Sequence, residues 1–456
     1  MKALTGVLNE EGTSAMLPNH SVPAVLRTAF IWLAVAAFST CMACPFCLAP
    51  SQTWTEMFAE ADVVVWGRLV SSDHGDAKRQ PSSVVKVMKV AKGKSFAAVD
   101  QNITVPLPIF ADVNSTVLLK GSLQDIRIAG MSDTFATDSD GELISDGEPT
   151  QAARLKSQKT IKQPPVVPVS ATKVVANSSP RDLKSLVWDF AEPVSAAAYK
   201  YITTAPALDR KAIHRLPFFV KHLEHEDDLI AADAWAEFAN SRYEDIVAIK
   251  GLLPADNLKQ WILDSELSPE RPGLYGMMLG LCGRQQDVAF LLKQIGPGEQ
   301  TAARFGIEGL MGGLLVLSKD EGLDFLVTSR LANPLAPTSE VFYAMSAVKY
   351  AWEYEPDLFN QETLRSSLRP LLKRDEFQEI IVTDLARWED WSVISELTDL
   401  CASTDQDGVI RSAIGYCWQA QKSTTATDQQ KRQAAGLLAS VKESHPAVYR
   451  RQLMFR

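Results

Sequence analysis

Three of the six cysteines fall within "CMACPFCLAP", residues 41–50, as Cys41, Cys44 and Cys47. A C-x-x-C pair such as Cys44 and Cys47 can be a disulfide clip, a redox centre or half of a metal clamp. Thioredoxin-type chemistry needs a helix N-terminus behind the second cysteine to depress its thiolate pKa. Here "LAPSQTW" intervenes, and Pro50 opens a short helix too late for that role. Zinc would need a second pair nearby, which is missing, and a c-type haem would need His at position 48, which is Leu48. The expected chemistry is a structural disulfide between Cys44 and Cys47. Cys282, Cys401 and Cys417 sit in apolar helical patterns and read as buried small hydrophobes.

The second cluster able to do chemistry is "HLEHEDD", with His222 and His225 about one turn apart and His214 upstream. These imidazoles could hold a divalent metal; a polar turn between two helices accounts for the same residues, and no metal is assigned. Other signatures fail on spacing. In "KVAKGKS" the first glycine of a phosphate loop falls on Met88. In "DSDGE", residues 138–142, setting Gly141 at the turn glycine of a calcium loop puts the first ligand on Ala136 and the last on Gly147. Neither H-E-x-x-H nor G-x-S-x-G occurs, and six histidines leave few general bases. No catalytic residue and no cofactor is expected.

The elements that carry these residues follow from composition and periodicity. A chain of 456 residues with 46% hydrophobic residues can bury several cores, and a net charge of -9 argues against nucleic acid, whose phosphates need clustered Lys and Arg. The apolar run "AFIWLAVAAF", residues 29–38, follows Arg27 and precedes small residues, the order of a secretory signal, and is too short for a transmembrane span. Residues 1–43 therefore read as a signal peptide with an extended n-region, whose working start is Met16 or nearby. Cleavage after Ala43 would make Cys44 the mature N-terminus. The alternative ending is a lipid anchor acylated at Cys41 or Cys44. Either places the protein outside the cytosol, periplasmic, in the cell envelope or extracellular, where disulfides persist.

Residues 44–129 read as β. "ADVVVWGRLVSS" and "SSVVKVMKVAKG" are Val-rich, the second alternating Val85 and Val87 with Lys86 and Lys89, and "NITVPLPIF", "STVLLKGS" and "QDIRIAG" add short strands. That count predicts a small barrel or sandwich. Residues 130–193 are rich in Ser, Thr, Asp, Lys and Pro and read as a flexible linker or insertion. Residues 194–456 are helical, with apolar segments beginning near Leu274, Phe305, Val341, Phe377 and Val409, a spacing of roughly 30 to 37 residues that stacked helix pairs produce. Trp388 and Trp391 read as core anchors.

With its cysteine cluster, the short helix "PSQTWTEMFAEA", "ADVVVWGRLV" and "VVKVMKVAKG", the β segment resembles the netrin-like module, the OB-type barrel shared with tissue inhibitors of metalloproteinases. In those inhibitors the N-terminal cysteine grips the protease zinc, a role that would fall on Cys44; residues 62–189 lack cysteine, so the family's long-range disulfides cannot form. "EDDLIAADAWAEF" and "DQDGVIRSAIGYC" resemble the second helix of HEAT repeats through Asp228, Ile230, Ala232, Ala234 and Asp407, Ile410, Arg411, Ala413. The order "CPFC", β module, "FVKHLEHEDDLIAADAWAEFA", "LYGMMLGLCG" and "DLARWEDW" resembles a group of uncharacterised exported bacterial proteins. Together these imply a multidomain α and β chain, a small OB/netrin-like β-barrel followed by an all-α HEAT-like solenoid. Stacked helix pairs leave an extended concave surface suited to a protein or peptide partner, so the expected function is that of a non-enzymatic binding or scaffold protein of the cell envelope. A thiol-redox or metal-dependent enzyme using Cys44 and Cys47 or the His214, His222, His225 group is the alternative, and a protease-inhibitor-like module is a lower one.

Overall fold

The computed structural model describes residues 44–47, 51–76, 79–125, 184–296 and 304–454. The expected signal peptide, Cys41, the acidic "DSDGE" and most of the expected linker lie outside them. A short helix α1 (Trp54–Glu60) comes first. It starts at Trp54, after Pro50, because Thr53 and Glu56 form a reciprocal capping box.

Five strands follow: β1 (Val63–Asp73), β2 (Ser82–Lys92), β3 (Asn102–Val105), β4 (Thr116–Asp125) and β5 (Lys184–Pro193). They form one antiparallel sheet in the order β3-β2-β1-β4-β5. Register shifts at Val64/Val65, Trp66/Gly67 and Leu69/Ser71 in β1 curl it, as bulges do. A small barrel is expected; among the described residues the sheet is a half-barrel with β3 and β5 at its edges. β3 is only four residues long and runs into Pro106 and Pro108, which have no N–H to extend a ladder. One further expectation is corrected: residues 184–193, assigned from composition to the linker, form β5. Of the expected strand "QDIRIAG", Gln124 and Asp125 form the end of β4, and residues 126–130 lie outside the described ones.

Val63 to Gly67 are all buried, because both faces of the sheet are covered there. Val63, Val65 and Leu69 face Val85, Val87, Ile103, Val117 and Leu119 in a small core inside the curl. Val64, Trp66 and Leu118 join the large core of the helical region instead. The Trp66 ring stacks on Tyr199 at 4.9 Å, and its indole N–H donates to the Val194 carbonyl at 3.0 Å.

The helical region runs α2 (Ala196–Thr204), α3 (Ala212–Phe219), α4 (Asp228–Ala239), α5 (Tyr243–Ala248), α6 (Ala255–Leu263), α7 (Arg271–Cys282) and α8 (Val288–Ile295). It continues with α9 (Ile307–Ser318), α10 (Asp320–Leu326), α11 (Thr338–Tyr354), α12 (Gln361–Leu368), α13 (Gln378–Arg387) and α14 (Ile394–Ser403). α15 (Asp407–Lys422), α16 (Asp428–Ser444) and α17 (Pro446–Leu453) complete it. α9 packs between α7 and α11, and α13 lies against α15. Ion pairs tie successive segments: Lys259 to Asp287 at 2.7 Å, Lys349 to Asp384 at 2.8 Å and Arg369 to Asp390 at 2.8 Å. Trp388 and Trp391 are buried as expected, Trp388 stacked on Trp352 at 4.2 Å. Among the described residues no helix is long and apolar enough to cross a membrane.

Candidate functional site

Cys44 and Cys47 lie 5.3 Å apart at Cα and are joined as a disulfide. A sulfur so engaged is unavailable for the acyl thioether of a lipid anchor, so the two uses of Cys44 exclude each other. The loop they close is packed inside the helical region: Cys44 is 5% exposed and Phe46 8%. The Cys44 N–H donates to the Ala239 carbonyl at the end of α4, at 3.0 Å. Phe46 packs on Tyr350 at 4.8 Å between centroids. Among the described residues the three other cysteines have thiols pushed up by burial, Cys282 and Cys401 to about 11 and Cys417 to about 12, which keeps them protonated at neutral pH.

Downstream of the loop lies a polar cluster that sequence reading missed. Asp233 and Glu237 are one turn apart on α4 and are 5% and 3% exposed. Asp233 accepts the Trp54 backbone N–H and the Tyr201 hydroxyl, both at 2.7 Å. Glu237 accepts the Thr55 hydroxyl and pairs with Arg215 of α3 at 2.5 Å. Arg215 also donates to the Thr55 hydroxyl at 2.9 Å. The available signal was two acids inside "LIAADAWAEFA", a helix apolar nearly all round, where a charge must find a partner. The cluster fastens α1 to α2, α3 and α4, and its acids are sealed under Trp54 and Thr55.

Two carboxylates share one guanidinium here, and burial raises both; Asp233 reaches about 6, against the pull of the Trp54 and Tyr201 donors and the Arg215 charge. The folded state therefore keeps a proton on Asp233 where the unfolded chain, with an ordinary value near 4, has released it. The contribution of Asp233 to stability is present below about pH 4 and is lost as pH rises to about 6, a change of about 3 kcal/mol. Urea unfolding from pH 4 to pH 7 should show this loss in the wild type relative to Asp233→Asn. Parallel curves for the two proteins would refute it.

The histidine group comes together only in part: the rings of His222 and His225 lie 6.0 Å apart between centroids, and one ring nitrogen of each is taken by a backbone partner. His214 is exposed. The His222 ring nitrogen meets the Phe218 carbonyl at 2.9 Å, and the His225 ring accepts the Asp227 N–H at 3.0 Å. Glu224 turns away to Arg271 at 2.7 Å and to the Tyr275 hydroxyl on α7. Asp227 caps α4 by accepting the Leu229 N–H. The segment is the polar turn between helices, and no metal-binding group of His, Cys, Asp or Glu occurs among the described residues. "KVAKGKS" ends β2 at a turn through Gly93, and Lys92 donates to the last carbonyls of α1, Phe58 and Ala59 at 3.1 and 3.0 Å.

Two open hollows lie on the later helices. One, of 290 Å³, is lined by Glu379, Thr383, Arg411, Ser412, Tyr416 and Gln452 of α13, α15 and α17. The other, of 250 Å³, is lined by Glu362, Arg365, Glu389, Trp391 and Gln430. Both are open to solvent and mix charges with amides and hydroxyls. No protein-family model, curated protein or solved structure matches this chain.

Proposed function

We propose that the protein is exported and serves as a non-enzymatic protein-binding or scaffold protein of the cell envelope. On this reading the helical region is a HEAT-like stack, and the sheet is an OB- or netrin-type barrel with the seam between β3 and β5 left open. The observation that supports it best is the lateral packing of α7, α9 and α11 and of α13 and α15, with α11 tied to α13 by the Lys349–Asp384 ion pair. Such stacking uses the ionisable groups as cross-ties and leaves an extended outer surface for a partner. The hollow between α13 and α15 is the part of that surface to test first.

Photo-crosslinking amino acids at Thr383 and Ser412, in the hollow, should capture a discrete protein or peptide in the native compartment. The same group at the exposed Ser440 on α16 should not. Arg411→Glu should remove the crosslink without altering the far-ultraviolet circular dichroism. Equal yields and identical products at Thr383 and Ser440 would defeat the reading.

A further inference from the structure

The loop between Cys44 and Cys47 is shaped as a plug, and the helices beneath it are shaped to receive one. A Cβ added at Gly312 of α9 would come within 2.6 Å of Phe46 Cζ, and one at Gly273 of α7 within 2.9 Å of the Phe46 carbonyl oxygen. The two helices thus present bare backbone where the ring sits. Tyr350 of α11 forms the far wall, held by a 2.7 Å hydrogen bond between its hydroxyl and that of Tyr243. Cys44 is buried at the end of α4, whereas Cys47 is only partly covered and is the more accessible of the two to an incoming thiolate.

We propose that the disulfide-closed Cys44–Cys47 loop is a redox-releasable plug, seated by Phe46 in an aromatic-accepting notch formed by α7, α9 and α11. An external dithiol attacks Cys47 Sγ, forms a mixed disulfide and frees the Cys44 thiolate, which takes up a proton. The second thiol of the reductant then displaces Cys47. Two electrons and two protons pass to the loop, giving two cysteine thiols, and the dithiol leaves as its own disulfide. Reduction removes the closure that holds Phe46 in its bound geometry and opens the notch more often. This release does not depend on whether the outer helical surface has a partner.

The test is hydrogen exchange read by mass spectrometry on the oxidised protein, on protein reduced with dithiothreitol, and on oxidised Phe46→Ala. Intact mass verifies the gain of two hydrogens on reduction. Amides of the peptide containing Phe46 and of the first turns of α7 and α9 should exchange about 20-fold faster after reduction, the chain entropy that a four-residue closure withholds. β1, β2, α13 and α15 should be unchanged, and reoxidation should restore protection. Phe46→Ala should give the same footprint without any reductant, which keeps the test usable if cysteine variants fail to fold. Unchanged exchange on reduction, or acceleration spread evenly over the whole chain, would overturn the proposal.

Discussion

Arg215→Met is expected to destabilise the folded chain by about 3 to 5 kcal/mol, one of the two largest losses expected from a single substitution. Among the described residues Arg215 is the cation paired with Glu237, and its guanidinium also holds Thr55 of α1. Without it Glu237 keeps its buried position with only neutral threonine hydroxyls, Thr55 and Thr53, as donors, and Asp233 one turn away loses the positive charge that lowers its pKa. A charge left buried without a partner costs far more than the pair contributes. The midpoint of urea unfolding should fall with its slope unchanged. Replacing the group together, Arg215→Met with Glu237→Leu and Thr55→Val, should recover most of the loss, because an apolar cluster of similar volume carries no desolvation penalty. A triple variant as unstable as the single one would mean that the lost packing of the arginine, and not the orphaned charge, sets the cost.

The second large effect concerns the seam between α7 and α9, with Gly273, Gly276 and Gly280 on one helix and Gly309, Gly312 and Gly313 on the other. A Cβ at Gly309 would land on the Gly273 carbonyl oxygen, one at Gly313 on the Gly276 carbonyl oxygen, and one at Gly276 within 2.5 Å of the Leu310 nitrogen. These obstacles are backbone atoms that cannot swing aside, so Gly309→Ala must push the helices apart and loosen Met277, Leu314 and the seat of Phe46. We expect a loss of about 3 kcal/mol or more, the upper end for overpacking. Gly415→Ala and Gly436→Ala, on α15 and α16, meet nothing within 4 Å and should gain about 0.5 to 1 kcal/mol from helix propensity. The same chemical change thus has opposite signs at two places. Thermal unfolding of the three variants side by side decides it, and a neutral Gly309→Ala would show that the seam can relax.

Much of the fold could be read from the residues. Apolar segments expected to begin near Leu274, Phe305, Val341, Phe377 and Val409 coincide with α7, α9, α11, α13 and α15, because each helix buries one face and repeats its apolar residues at 3.6-residue spacing. β1 and β2 were legible from valine content and alternation, and the Cys44–Cys47 clip from the absence of any motif that would give those thiols another use. β5 was not legible. It pairs with β4 across residues 126–183, and composition averaged over residues 130–193 hid a ten-residue strand at its end. The open seam was equally hidden, since the partner an edge strand finds is set by curl and neighbours, which a list of strands does not carry.

By itself the sequence determined where the main helices and the strands β1 and β2 lie, and it argued against several chemistries, because those properties depend on periodicity and spacing along the chain. The tertiary structure alone decided what the singular residues do. Phe46 lies far along the chain from Gly273, Gly312 and Tyr350, and Thr55 from Arg215 and Glu237; only folding brings them into contact. The histidines, near neighbours in sequence, were turned to separate backbone partners once the helix turn fixed their directions. Local spacing governs what a segment can form, whereas burial and long-range packing govern which of its side chains meet.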